Sequence, residues 1–160
     1  MEEHPWKGYK HAFAFQTSKL IGTKAYSGWR IAMIDPDSTT LLHSPDISDE
    51  KQGEFVCQSL RESQPWTIEK ASGFTHDKTR YETWIGELMT FGAYKSAKAV
   101  TRNLKEVLID NYDGQIVFIP TSTKRGVFKS FSKEFHVIVP EDSAKADIGA
   151  ALRLAFERSM

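Results

Sequence analysis

Residues 107–120 read Val107-Leu108-Ile109-Asp110-Asn111-Tyr112-Asp113-Gly114-Gln115-Ile116-Val117-Phe118-Ile119-Pro120. Two apolar runs, 107–111 and 115–119, meet at Asp-Gly, a dipeptide that accepts the positive φ angles of a tight turn. The spacing predicts an antiparallel hairpin with arms 104–111 and 115–120 about Asp113-Gly114. Pro120 is expected to end the second arm because it has no N–H to give a ladder. Upstream, residues 9–16 alternate around His11, Phe13 and Phe15 and read as a strand. Residues 20–26 and 29–34 are weaker strand candidates, with a turn at Ser27-Gly28 and a stop at Asp35-Pro36-Asp37. Residues 66–70 read as a short strand before a break at Gly73, and residues 134–139 as a strand ended by Pro140.

Three helices complete the pattern. Ser48 is placed to cap one over 49–62, with Asp49 and Glu50 at the positive end of its dipole and Gly53, Val56, Cys57 and Leu60 on one face. A second, over 78–90, carries Tyr81, Trp84, Ile85, Leu88 and Met89 at helical spacing, with Asp77 as its cap and Gly92 as its stop. Ser143 is expected to cap a third, whose Ile148, Ala151, Leu152, Ala155 and Phe156 share a face. We expect that last helix to be structural, with Ile148, Leu152 and Phe156 packed on the sheet. The fold class is therefore α+β: a single domain over 1–160, mainly antiparallel sheet, with about three helices.

Composition agrees with a globular domain and excludes several classes. The chain is 40% hydrophobic and 12% aromatic, which rules out a disordered tail. Lysine plus arginine and aspartate plus glutamate number 21 each, so no net charge draws the chain to nucleic acid or an anionic membrane. One cysteine, Cys57, excludes an internal disulfide. Its place on an apolar helix face reads as packing, and as a nucleophile only if a histidine approaches in space. The amino-terminal residues Met1-Glu2-Glu3-His4-Pro5-Trp6-Lys7 lack the apolar core of a signal peptide, and the longest apolar runs are four residues. A cytoplasmic location, with no membrane partner, is the expectation.

Motifs for catalysis are lacking in the sequence. His4, His11, His43, His76 and His136 are scattered, with no HxxxH, HxH or CxxC from which a zinc site could grow. Gly-rich phosphate loops and a GxSxG elbow are missing too. Ser48-Asp49-Glu50-Lys51 matches SxxK, but a helix cap explains the serine more simply. No metal, cofactor or catalytic residue is expected.

Two charged stretches stand out. Asp35, Asp37, Asp46, Asp49, Glu50 and Glu54 face only Lys51 between residues 35 and 54. They read either as an acidic face for a basic partner or as turns and a helix start. Residues 95–133 carry eight basic side chains against three acidic ones, with Phe128 and Phe131 interleaved. That pattern suits a small nucleic-acid-binding module, although Arg125-Gly126-Val127-Phe128 is only a fragment of an RNA-binding signature.

The second half resembles a known family. Tyr81-x-x-Trp84-Ile85-x-x-Leu88-Met89, then Phe91-Gly92-Ala93-Tyr94-Lys95-Ser96-x-Lys98, is similar to a stretch of contact-dependent growth inhibition immunity proteins, the CdiI family. Val137-Ile138-Val139-Pro140-Glu141-Asp142-Ser143, leading into Ile148-Gly149-Ala150-Ala151-Leu152-Arg153, resembles that family's tail, without the cysteine that usually follows. The resemblance spans about 44–158 and hardly touches the first 40 residues. It implies a non-enzymatic protein that binds the C-terminal toxin domain of a cognate CdiA effector, often a nuclease, and keeps it from its substrate; nucleic acid is then not an expected partner. Some members of the family accept a toxin β-hairpin in a pocket. On that reading Tyr112, Arg125, Phe128 and Phe131 form one candidate toxin-binding wall. The acidic Asp35, Asp37, Asp46 and Asp49 form another.

Overall fold

The computed structural model describes residues 3–122 and 129–160. Within them run β1 (Lys10–Gln16), β2 (Ile21–Gly28), β3 (Ala32–Ile34), β4 (Leu41–His43), α1 (Asp49–Glu62), α2 (Ile68–Phe74), α3 (Thr79–Gly92), α4 (Ala97–Thr101), β5 (Lys105–Tyr112), β6 (Gln115–Ser122), β7 (Lys129–Ser130), β8 (Val137–Pro140) and α5 (Lys145–Arg158). The fold is α+β, as expected, with two short helices, α2 and α4, beyond the three anticipated. All strand pairings are antiparallel, in the order β3-β2-β1-β5-β6-β7. β4 lies beside β3 along the outer edge of β2, and β8 beside β7 along the outer edge of β6.

The predicted hairpin is present as β5 and β6. Asp113 and Gly114 take φ of 54° and 75°, the left-handed pair that Asp-Gly accepts at low cost. β6 runs through Pro120 to Ser122, contrary to the expected stop. Its missing N–H falls between the β8 and β7 pairings, and its carbonyl still accepts from the Phe131 N–H (2.9 Å).

The centre of the sheet is β1, covered on both faces, and its alternation sorts two cores. Ala12 and Ala14 point to α1 and α5, where Val56, Leu60, Ile148, Leu152 and Phe156 are buried with Val107, Ile109 and Phe118 of the hairpin. Phe13 and Phe15 point the other way, to α3 and α4, with Trp84 edge-on to both rings at 5.1 Å. The carboxy-terminal helix packs on the sheet through the side chains expected of it.

Small residues let the first helix layer lie close. Gly53 of α1 faces the Lys145 carbonyl and Gly149 of α5 faces the Asp49 carbonyl. A Cβ at either position would stand 1.9 or 1.8 Å from the oxygen. The two helices thus meet backbone to backbone.

Several local expectations are corrected. Residues 66–70 are not a strand: Thr67 Oγ1 accepts from the Lys70 N–H (3.1 Å) and starts α2, which runs through Gly73. The chain stays extended through Ser27-Gly28 to the end of β2, and β4, for which no strand was expected, pairs with β2. At α3 the left-handed stop is Ala93 (φ 53°), one residue past Gly92. Lys78 is the cap residue there, while Asp77 accepts from the Thr79 N–H (2.8 Å). Residues 133–135 form a 3-10 turn, so β8 begins only at Val137. Ser143 bonds back to the Pro140 carbonyl (2.7 Å) and leaves α5 without a side-chain cap.

The glycine contact makes a signed prediction. Alanine normally stabilises a helix interior by about 0.5–1 kcal/mol over glycine. Gly86→Ala on α3, where no atom lies within 4 Å of an added Cβ, should follow that rule and raise the Tm slightly. Gly149→Ala should reverse it, costing about 1–3 kcal/mol as the helices are forced apart and lowering the Tm by several degrees. Thermal melts of the two variants check this; equal and positive shifts would refute the close contact.

Candidate functional site

The two faces of the sheet are covered unequally. α1 and α5 seal one face out to β6 and β8, whereas α3 and α4 cover β2 and β1 on the other and reach only to Leu108 of β5. Alternation along β5 puts Glu106, Leu108, Asp110 and Tyr112 on this second face. Val117 and Ile119 lie beside them on β6, and Ile138 on β8. Large apolar side chains stay exposed along this region: Tyr81 on α3 at 47%, Ile138 at 53%, and Tyr9, stacked on Tyr112 at 5.1 Å between ring centres.

Several charged side chains on this face have local partners. His11 Nδ1 and Asp110 Oδ1 pair across β1 and β5 at 2.7 Å. Lys24, only 3% exposed, donates from Nζ to the Ser38 carbonyl at 2.7 Å. Burial lowers the Lys24 pKa, against the opposing pull of Glu87, Asp35, Glu62 and Asp37. Glu106, opposite Phe15 on β1, has neither kind of partner. No described residue gives its carboxylate a hydrogen bond or an ion pair, and burial alone pushes its pKa up to about 7. The phenols of Tyr26 and Tyr81 are raised by their own burial and then by this nearby carboxylate.

The residues singled out in the sequence do not form one site. Tyr112 ends β5 beside the turn, whereas Phe131 is tied to Pro120 at the far end of β6. Five strand residues, about 17 Å, separate those positions. Phe131 packs on Phe135 (5.5 Å), and its carbonyl is bonded to His136 Nε2 (3.0 Å). Arg125 and Phe128 lie outside the described residues. Among the acidic candidates, Asp35 is buried and structural. Its carboxylate accepts from Ser27 Oγ (2.5 Å) and the Asp37 N–H (2.9 Å), so it offers nothing to a partner. Asp49 pairs with Arg153 across the α1–α5 contact at 2.6 Å. Asp37 and Asp46 remain outward, their side chains 81% and 85% exposed, within 3.7 Å of Lys70 and 3.9 Å of His43.

Glu106 escaped the sequence reading because a glutamate between lysine and valine on a strand looks like an ordinary solvent-facing residue. Alternation gives its face; only the sheet order shows that the face is flanked by Phe15. Cys57 is partly buried against the first core, with Lys145 Nζ 3.3 Å from its sulfur and no histidine partner among the described residues. Among those residues, no group of three or more His, Cys, Asp or Glu could hold a metal ion. None of their helices is long and apolar enough to cross a membrane.

Comparison with known proteins fits this architecture. A chain of the CdiA-CT/CdiI toxin and immunity complex from Yersinia pseudotuberculosis superimposes with a TM-score of 0.83 and 26% identity, over 95% of this chain and 98% of that one. A protein of unknown function from Neisseria meningitidis shares the fold with a TM-score of 0.89 at 21% identity, over 99% and 100% of the two chains. Immunity protein CdiI-YPIII of Yersinia pseudotuberculosis serotype O:3 is 31% identical over 157 residues, covering 87% of this chain and 89% of that protein. The family model CdiI, described as CDI immunity protein, matches residues 10–159 and so takes in the β1–β4 region that the sequence reading left unmatched. On these matches the chain belongs to the CdiI family of contact-dependent growth inhibition immunity proteins.

Proposed function

We propose that this chain binds the C-terminal toxin domain of a cognate CdiA effector and neutralises it by blocking access to its substrate. Membership of the immunity family, shared along almost the whole chain with CdiI-YPIII, carries the reading. The toxin is a nuclease on this proposal, and the chain acts in the cytoplasm as an inhibitor without catalysis of its own. Neutralising a lethal enzyme demands slow release. A Kd of 1 nM corresponds to about −12 kcal/mol, which an interface of roughly 1,600 Å² with a few desolvated anchors supplies.

Two surfaces compete for the contact. One is the sheet face at Tyr112, with Phe131 at the far end of β6 and with Arg125 and Phe128, which lie outside the described residues, as further candidates. Its exposed aromatic and aliphatic side chains support it. The other is the acidic surface at Asp37 and Asp46, which would suit a nuclease with a basic groove. Asp49 is a poorer probe of it because charge reversal there would also break the Arg153 pair.

Association and dissociation rates with the cognate CdiA C-terminal domain, at two salt concentrations, separate the surfaces. If the hairpin and the segment after it dominate, Arg125→Ala and Phe128→Ala should mainly speed dissociation, with little effect of salt. If the acidic surface dominates, Asp37→Lys with Asp46→Lys should slow association and flatten its salt dependence. Wild-type rates from every variant would eliminate both surfaces, and absence of binding by the wild-type chain would overturn the function.

A further inference from the structure

Glu106 sits at the inner edge of the open sheet face, beside half-covered Leu108 and the rim of α3 at Tyr81, in a place where a charge is costly. Residues that lower stability without a structural return concentrate where a partner is bound. Tyr26 from β2 and Tyr81 from α3 face the carboxylate, and His11 and Asp110 on the same face are hydrogen-bonded to each other. None of these supplies a positive charge to Glu106. An unpaired carboxylate in an aromatic and aliphatic setting matches one ligand chemistry: a cation on a long apolar stem, whose head pairs with the acid while its methylenes cover apolar surface.

We propose that Glu106 is the receptor for a lysine or arginine side chain of the toxin domain, which inserts against Leu108 and Tyr81 and completes an ion pair that no described residue of the free protein supplies. This rests on the toxin-binding function proposed above and names an anchor within it. It also places the contact on the open sheet face rather than on the acidic surface.

The proposal ties binding to pH with a definite sign. In the free protein the carboxyl has a pKa of about 7, against an ordinary value of 4.5. A raised carboxyl pKa stabilises the fold fully below about pH 4.5, and that contribution is lost as pH rises through about 7. Binding to a cation requires the ionised form. The ionised fraction rises from roughly one tenth at pH 6 to nine tenths at pH 8, so affinity should rise about tenfold over that range.

The test uses the full chain, its Glu106→Gln variant and the cognate CdiA C-terminal domain. Isothermal titration at pH 6 and pH 8 should show the wild type binding about tenfold more tightly at pH 8. Glu106→Gln should bind at least tenfold more weakly than wild type at pH 8, and its affinity should change less between the two pH values. Without toxin, the variant should melt at or above the wild-type temperature at pH 8, because it removes a buried charge that has no partner. Wild-type affinity from Glu106→Gln at pH 8 overturns the anchor while leaving the toxin-binding function standing. A lower melting temperature for the variant at pH 8 also overturns it, since Glu106 would then be paired within the free chain. Failure of the wild type to bind at either pH overturns function and anchor together.

Discussion

Contact of α1 with α5 through bare backbone, at Gly53 and Gly149, is the constraint from which the architecture follows. Two helices that approach this closely form a thin layer, and a thin layer needs small residues beneath it. Ala12 and Ala14 of the central strand provide them, while Val56, Leu60, Ile148, Leu152 and Phe156 fill the margins. The Asp49–Arg153 pair sits beside the crossing and adds modestly, as exposed ion pairs do. Because strand residues alternate, small side chains on that face leave the large ones to the other. Phe13 and Phe15 therefore meet Trp84 beneath α3.

The same division leaves the two faces of the sheet unequally covered. α1 and α5 span the sheet from β2 to β8, so the hairpin is sealed on their side. α3 and α4 are centred on the aromatic cluster over β1 and stop short of β6. The second face of the outer strands lies beyond that layer, with Ile138 of β8 exposed there and Val117 of β6 buried. A site on sheet residues supported by a packed layer holds its side chains in place before a partner arrives, which reduces the entropy lost on binding. Glu106 gains its character from this edge: far enough under α3 to be desolvated, far enough from it to remain reachable.

Features set by neighbours in sequence were legible, and those set by distant contacts were not. The hairpin and α1 follow from an Asp-Gly turn and a Ser48 cap, both local bonds whose residue types announce them. At α2 a short apolar segment does not distinguish strand from helix, and the Thr67 bond decides for helix. β4 exists only because residues 21–23 offer it an edge, and β8 is shortened by a turn fixed through the bond of His136 to Phe131. The candidate site suffered most. Tyr112 and Phe131 looked adjacent in a chain that folds back on itself but stand at opposite ends of β6, and Asp35 looked like surface while it ties β2 to the turn after β3. Glu106 carries no motif at all; its meaning lies in what fails to face it.

The most direct measurement is titration of the toxin domain's own activity on its substrate with purified chain. The account predicts that activity falls linearly to zero at one chain per toxin, as slow dissociation and a blocked substrate site require. Full toxin activity in the presence of excess folded chain would contradict it.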